Sequence, residues 1–585
     1  RLVTDNIDLA VQARHQSSSH QNKSLHWTHC FAVKNRCVEG LKSAVIHHIP
    51  HKYLNEMKQK SKQISNPFKC LLGLDFLNTN KSGDMAELLK KFQEEHVPMK
   101  EDHVLHKTIV HGDQLTEERE RNVQWTFKLG ETEADWLEGL ECTFSEFHLK
   151  MCMYQVSNKI FVKEESAGEK GTSFAQMNRS ENSNAKKVPT KDFNAYFHES
   201  KTFASILAAW MEFTGMDSID SLPTTRQLPD RAVLKKWGNE QKRDWLSKEV
   251  VEFLNVYVFI QTSCDVNEFV AAVDELDTQG RNGYPFRECG EVFNNHPARV
   301  DHERTQHGKV PNTFEDRDEF GYYICRIRCG KTYKTKQGSN QHERSQHADQ
   351  MNETPHQTDN GADQEAQDHS EECVHNYHSA RLTFGLLMMV FNDSVKEGDS
   401  ASLLKFLKVA LLFLHTHNRV KYAYVVLLFL AKVYAILSEK LAFEVLHNRA
   451  FNNSRKAGGN FPLDLRMEHL NKLLKLTLKQ LASNISEPAT QRIAKSLSTL
   501  EDILCMADID CNLKARSGFH SSKHLDETVI TITKDLHDIK AFSVQPGREY
   551  KSFKGFKRNL LHKLDYREFY SWVSKPFAVW QSMYY

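Results

Sequence analysis

A chain of 585 residues with 40% hydrophobic and 26% charged side chains has ordinary globular composition and room for about three or four domains. Lys plus Arg at 77 against Asp plus Glu at 76 leaves a net charge of +1, so no global field draws nucleic acid and only local patches can. Its 12 cysteines form no dense framework, which excludes a disulfide scaffold and points to a reducing compartment, the nucleus or alternatively the cytoplasm.

The chain opens at Arg1 without a Met and without a charged leader ahead of an apolar core. A truncated start is expected, one that removes most of a first strand before Asp5. Residues 1–163 mix extended runs, such as 31–33 and 107–110, with the amphipathic 85–95, and read as the first part of an α/β core. Residues 164–192 are polar and rich in turn formers, a mobile loop. A helical segment follows over 193–280, with Phe203, Ile206, Leu207, Trp210, Met211 and Phe213 as one apolar face. Two finger-like units occupy 284–347, and 348–372, acidic and nearly free of apolar side chains, is expected to be a disordered linker.

Residues 373–540 form the second, helical part of the core. The most apolar run, 422–437, contains Lys432 and is shorter than the ~20 residues of a bilayer span, so a buried helix is expected and no membrane partner. Leu463, Met467, Leu470, Leu474, Leu478 and Leu481 recur at spacings of three and four, while Glu468, Lys472 and Lys475 lie off that face. The tail, 541–585, is basic and aromatic, most of all over 551–563. It is either a solvated, partly docked extension or a surface for phosphates and bases.

The sharpest chemistry is Cys325-x3-Cys329-x12-His342-x4-His347. Two thiolates close together, a spacer of about a dozen residues and two imidazoles three to five apart suit tetrahedral Zn²⁺. With Tyr323 before the first Cys and Tyr333 after the second, the segment resembles a C2H2-type zinc finger, although Ser339 stands where such fingers bury a Leu. Chance spacing among 30 histidines is the plain alternative. Upstream, Cys289, His302 and His307 repeat the grammar with Phe293 in register with Tyr333, but Phe286 replaces the first Cys. A decayed, metal-free finger is expected there. Thr335, Gly338 and Gln341 would hold the base-reading positions of the intact finger, and a Gly reads no base. A lone finger binds DNA weakly and through phosphates, so protein binding is an equal expectation.

Six blocks carry a wider resemblance: VTDNIDL at 3–9, LHWTHCFAVKNR at 25–36, IVHGDQLTEER at 109–119, LEGLECTFSEFHLKMC at 137–152, VKYAYVVLLFLAKVYAIL at 420–437 and AGGNFPLDLRMEHLN at 457–471. In order, they resemble the signature blocks of a large invertebrate, transposon-associated domain-of-unknown-function family whose members often carry C2H2 fingers. That family has no settled activity. From the residues themselves, Asp5 follows a β-type run, Asp113 ends a strand-like segment and Glu468 lies on a helix after a turn. Two strand-end aspartates and a helical acid are what a two-metal phosphoryl-transfer site on an RNase H-like sheet requires.

So arranged, the chain resembles a DDE-type transposase core, with 193–450 as an insertion like that of hAT-type enzymes, and His148 is placed to contact a scissile or flipped nucleotide. Each acid also has a structural use. Asp5 fits an Asx turn with Asn6, Asp113 a helix cap near Thr116, and Glu468 an i, i+4 pair with Lys472. HWTHC at 26–30, with Cys37, matches no closed metal site, so buried, hydrogen-bonded histidines are expected. No phosphate loop, nucleophile elbow or zincin motif occurs.

The expected architecture is mixed α/β and mostly helical: an N-terminal RNase H-like α/β core split by a helical and zinc-finger insertion, then a helical C-terminal region. The leading functional expectation is a transposon-derived, nuclear zinc-finger protein binding Zn²⁺ through Cys325, Cys329, His342 and His347, and contacting DNA or protein without catalysis. The alternative is a Mg²⁺-dependent DDE-type transposase or nuclease using Asp5, Asp113 and Glu468. Native mass spectrometry should find one Zn²⁺ per chain, lost in Cys325→Ser, and a metal-free native chain would remove the finger reading.

Overall fold

In the computed structural model the described residues are 1–11, 23–33, 69–180 except 102 and 129, 198–259 except 227, 372–452, 457–480, 485–513 and 522–557, with Trp572 and four short strand segments between 284 and 333. Five strands form one sheet: β1 Leu2–Val11, β2 Lys23–Val33, β3 Lys69–Asp75, β4 Thr108–Gly112 and β5 Leu140–Phe144. Their order is β3-β2-β1-β4-β5. The first three are joined antiparallel, and β4 and β5 run parallel to β1. This is the mixed sheet expected of the N-terminal region. β1 pairs with β2 from Leu2↔Ala32 to Val11↔Lys23, so the strand carrying Asp5 is present over ten residues, against the expectation that most of it would be missing.

Helices α1 Ser82–His96, α2 Gln114–Phe127, α3 Glu146–Phe161, α4 Ser173–Arg179, α5 His198–Thr214, α6 Arg231–Lys236 and α7 Asn239–Tyr257 precede the finger-like region. After it come α8 Cys373–Glu397, α9 Ser400–Thr416, α10 Val420–Ala431 and α11 Glu439–His447, then a hairpin of β6 Ala450–Asn452 and β7 Asn460–Pro462, then α12 Leu463–Gln480, α13 Glu487–Asp510 and α14 Ser522–Asp538. No described helix is long and apolar enough to cross a membrane.

Period-two alternation divides the sheet between two cores. Val3, Ile7 and Leu9 of β1, with Trp27, Phe31 and Val33 of β2, bury against Leu463, Met467, Leu470, Leu474 and Leu478, the leucine-rich face expected of α12. Leu481 lies outside the described residues. On the opposite face Leu2, Cys30, Val110 and Cys142 bury against Met85, Leu88, Leu89 and Phe92 of α1. α13 is fixed to β3 where the β2–β3 register shifts. There Gly73, at φ +101°, lies where Gln491 would collide with any Cβ, and Leu74 N–H donates to Gln491 Oε1 at 2.7 Å. The larger core is mostly helical: α3, α4, α5, α7, α8, α9, α10, α11 and α14 pack with Ile109 of β4 and Phe144 of β5.

Three expected boundaries differ. Residues 164–192 begin with a 3₁₀ turn, Glu164–Gly168, and α4, in which Thr172 caps Ala175 N–H and Ala175 and Met177 are buried. Local Ser/Thr hydrogen bonds make that stretch look loop-like in sequence while they order it. Phe203 is 45% exposed, whereas Met211 of the expected face is buried and Ile206, Trp210 and Phe213 pack against the core beside Ala204, Ala208 and Ala209. The first part of the 541–585 tail is docked: Phe542, Tyr550 and Phe553 are buried, and Phe553 lies 4.8 Å from the Tyr377 ring. Glu372, the last residue of the acidic stretch, is also buried and pairs with Arg548 at 3.0 Å.

Of the finger-like units, two hairpins are described. Tyr284 pairs with Phe293 and Tyr323 with Tyr333, so the aromatic positions repeat in register as the sequence pattern requires. Cys325, Cys329, His342, His347, Cys289, His302, His307 and the linker 348–371 lie outside the described residues.

One buried ion pair joins the two halves of the chain. Arg449 pairs with Glu146, donates to Thr143 Oγ1 at 3.1 Å and to the Phe144 carbonyl, and lies over the Phe429 ring at 4.3 Å. Removing one partner strands the other charge. Arg449→Met is therefore expected to cost about 3–5 kcal/mol in denaturant unfolding, and adding Glu146→Leu to restore a good part of it; no recovery would contradict this role.

Candidate functional site

Strand alternation places Asp5 on the β1 face that carries Val3 and Ile7, toward α12. Its cross-strand neighbour is His29. Asn471 of α12 joins the two: its Nδ2 donates to Asp5 Oδ2 at 2.8 Å, and its Oδ1 lies 2.8 Å from His29 Nδ1. An amide oxygen can only accept, so the proton sits on His29 Nδ1. Burial holds that imidazole down to about 4, with Asn471 opposing, so it is neutral. Asp5 Oδ1 also accepts from Asn6 N–H at 2.8 Å. Asp5 is therefore a mid-strand residue rather than the centre of an exposed turn, and the 26–30 block supplies a buried, hydrogen-bonded histidine as expected.

Val3 is in parallel register with His111, so two residues further on Asp113 comes level with Asp5. Asp113 caps α2, accepting from Thr116 N–H at 2.7 Å. The expected cap is present, and it occupies one oxygen while pinning the carboxylate at the strand end. Gly112 makes the turn possible, because a Cβ there would meet the Thr116 side chain at 2.7 Å.

The third acid arrives with α12. Asp464, in its first turn, accepts from the backbone N–H groups of Phe147 and His148, each at 3.1 Å, and contacts His148 Nδ1 at 3.0 Å. Ser145, at the start of α3, makes no side-chain cap, so the free donors of that helix are satisfied by a carboxylate from another helix. One turn on, Glu468 Oε1 lies 3.5 Å from His148 Nε2. Glu468 thus faces His148, in place of the i, i+4 pair with Lys472.

Asp5 senses the other two acids. Burial, then Glu468, then Asp113 push the Asp5 carboxyl up to about 7, with His148 relieving only part of it. Burial works against charging His148, but its hydrogen bonds to Asp464 and Glu468 outweigh that and lift it to about 10, an imidazolium at neutral pH. That contact holds Glu468 below its ordinary value. Burial, with Asp113 next, raises the Tyr422 phenol. Beside Glu468 and His148 opens a cavity of about 1290 Å³ whose wall includes Tyr422.

Four carboxylates, at Asp5, Asp113, Asp464 and Glu468, thus share one imidazolium. Carboxylate oxygens are the donors hard divalent cations take, and an acid cluster short of positive charge suits such an ion. Among the described residues, no three His, Cys, Asp or Glu side chains surround a single point, so the fit is one of donor chemistry and charge. Sequence reasoning brought Asp5, Asp113, Glu468 and His148 into view and missed Asp464, Asn471, His29 and Tyr422 as parts of the site. A signal existed: 464, 468 and 471 share one helix face, a polar stripe beside the leucine stripe.

Acids on adjoining strands of a mixed five-stranded sheet, covered by a helix more than 300 residues further on, define a mixed α/β core with a polar centre. The chain belongs to a family of unknown function, DUF6589, matched over residues 38–520. The match includes Asp113, His148, Asp464 and Glu468, while β1 and β2 precede it. No curated protein and no solved structure matches the chain.

The raised Asp5 carboxyl has a consequence for stability. The folded chain holds a proton up to about pH 7 that the unfolded chain releases near 3.8, so the favourable contribution is full at low pH and is lost as pH rises through that window. Asp5→Asn removes the ionisation together with one hydrogen bond, a loss independent of pH. The thermal midpoint of Asp5→Asn minus that of wild type should therefore grow more positive from pH 5 to pH 8 without added metal. A flat difference would mean that Asp5 is not crowded by the other acids.

Proposed function

We propose that this chain is a metal-dependent DNA strand-transfer or strand-cleaving enzyme of the DDE type, derived from a transposable element, with Asp5, Asp113 and Glu468 as metal-binding residues. The observation that carries this reading is the placement of Asp5 on β1, Asp113 at the end of the neighbouring parallel strand and Glu468 on α12, near enough that the latter two raise the Asp5 carboxyl. Asp5 and Asp113, level on neighbouring parallel strands, and Glu468 above them would hold Mg²⁺. When bound, the metal supplies an activated water or 3′-hydroxyl and a counter-charge for the leaving oxygen.

The remaining chemistry belongs to the chain itself. Asn471 holds Asp5 against rotation through Oδ2 while its other end is fixed on neutral His29. His148, kept charged by Asp464 and Glu468, would meet a non-bridging phosphate oxygen through Nε2 on exchanging its 3.5 Å contact with Glu468. A second reading, a zinc-binding and non-catalytic protein that contacts DNA or protein through its finger, is supported by the two hairpins that repeat the aromatic register. The two readings are compatible if the finger directs the core to DNA in the nucleus.

The test is nicking of supercoiled DNA in Mg²⁺ or Mn²⁺. Asp113→Asn suits it because Asn also caps a helix well, so the fold is kept. Wild type should nick only with metal, and Asp113→Asn and Glu468→Gln should each lower the rate on the order of 100-fold or more. Metal-independent nicking overturns the metal-dependent mechanism, and equal rates in all three leave the non-catalytic reading.

A further inference from the structure

We propose that the cavity beside the acid cluster binds an unpaired DNA strand, phosphates on Lys150, Lys396, Arg419 and Lys472 and a base against Phe147 or Phe461; this rests on the phosphodiester reading of the same site. The four cations come from α3, the last turn of α8, the start of α10 and α12, so separate elements bring positive charge to one cavity. The lining contains one acid, Glu468, already engaged by His148. Lys421 also lines the cavity but is paired with Glu118 at 3.1 Å and is left out.

Two observations indicate that the basic groups await an anion. Arg419 Nε is buried without a hydrogen-bond partner among the described residues. Lys150 is pushed down to about 8, by burial first and then by Lys396, with Glu199 the only acid relieving it. An anion settling between these groups removes both strains. At about 1290 Å³ the cavity exceeds the roughly 300–1,000 Å³ of ordinary small-molecule sites, which favours a chain of nucleotide units. Aromatic rings beside a cationic track are the general means of holding a strand without reading its sequence. A duplex hides the base faces that Phe147 and Phe461 would meet, so the occupant is a frayed end or a single strand. Glu468 and His148 border the cavity, so such a strand lies next to the acid cluster.

The test is fluorescence anisotropy of a labelled single-stranded oligonucleotide on the full chain in EDTA, where nicking cannot intervene. Lys396→Gln/Lys472→Gln, at two exposed positions, should weaken binding about tenfold or more at low salt and flatten the log affinity against log salt slope by about 1.4, two phosphates at about 0.7 each. Arg419→Gln should act in the same direction, and a blunt duplex should bind more weakly and be indifferent to these changes. Unaltered single-strand affinity and slope in the double variant, or equal losses for strand and duplex, overturns the inference. Displacement of the strand by micromolar ATP would also overturn it, since the cavity would then take a free nucleotide. If single-strand binding behaves as expected but wild type fails to nick DNA, the inference stands and the catalytic reading falls; nicking with unaltered variant binding is the reverse.

Discussion

The structure depends on Asp464. Its carboxylate, buried at the start of α12, takes the free N–H groups at the start of α3 and the ring of His148, across a sequence separation of more than 300 residues. A helix N-terminus already favours a negative charge there, and two N–H donors with an imidazolium offset the cost of burying it. With the leucine stripe packed on β1 and β2, this clamp sets the angle of α12 about its own axis, and that rotation decides whether Glu468 and Asn471 reach the strands. Arg449 acts beside it, tying Glu146 and the end of β5 to the segment leading into β6. Together these contacts close the core over the long stretch inserted between β5 and α12.

Burial and charge are opposed at the centre of the sheet. The leucine stripe of α12 packs against β1 and β2 and dries the face on which Asp5 stands, and drying disfavours its charge. The same drying strengthens every nearby interaction, so Glu468 and Asp113 repel Asp5 more than exposed acids would. His148 is the local answer, held charged by two carboxylates, yet it relieves only part of the crowding. His29 and Asn471 contribute no charge and keep Asp5 oriented. The acid cluster is short of positive charge, and the neighbouring cavity, walled by lysines and an arginine, has the opposite polarity.

Much of the fold was legible because its signals are local. Alternation over 3–9 and 25–33 marks strands, and the three-and-four spacing of Leu463, Met467, Leu470, Leu474 and Leu478 marks a helix that must lie on something apolar. Asp113 after TIVHG reads as a cap, and it is one. Less legible were 164–180 and 541–556, where polar and aromatic side chains look like loop and tail until their partners are seen. Tyr377, on a helix remote in sequence, receives both Ser173 and Phe553. Nothing within either segment announces that partner.

The sequence by itself determined the elements, the acids at strand and helix ends, and the hairpin grammar of the finger-like repeats, since each depends on residues within a turn or two of one another. Tertiary structure alone decided that Glu468 and Asp113 come near enough to Asp5 to raise its carboxyl, that Asn471 bridges a cross-strand pair, and that Glu468 meets His148 and not Lys472. Those outcomes follow from how one helix is rotated over a sheet, a rotation set by its leucine stripe together with a carboxylate whose hydrogen-bond donors lie far away along the chain. Periodicity shows which face of a helix is buried; it does not show which polar neighbour waits at the edge of that face.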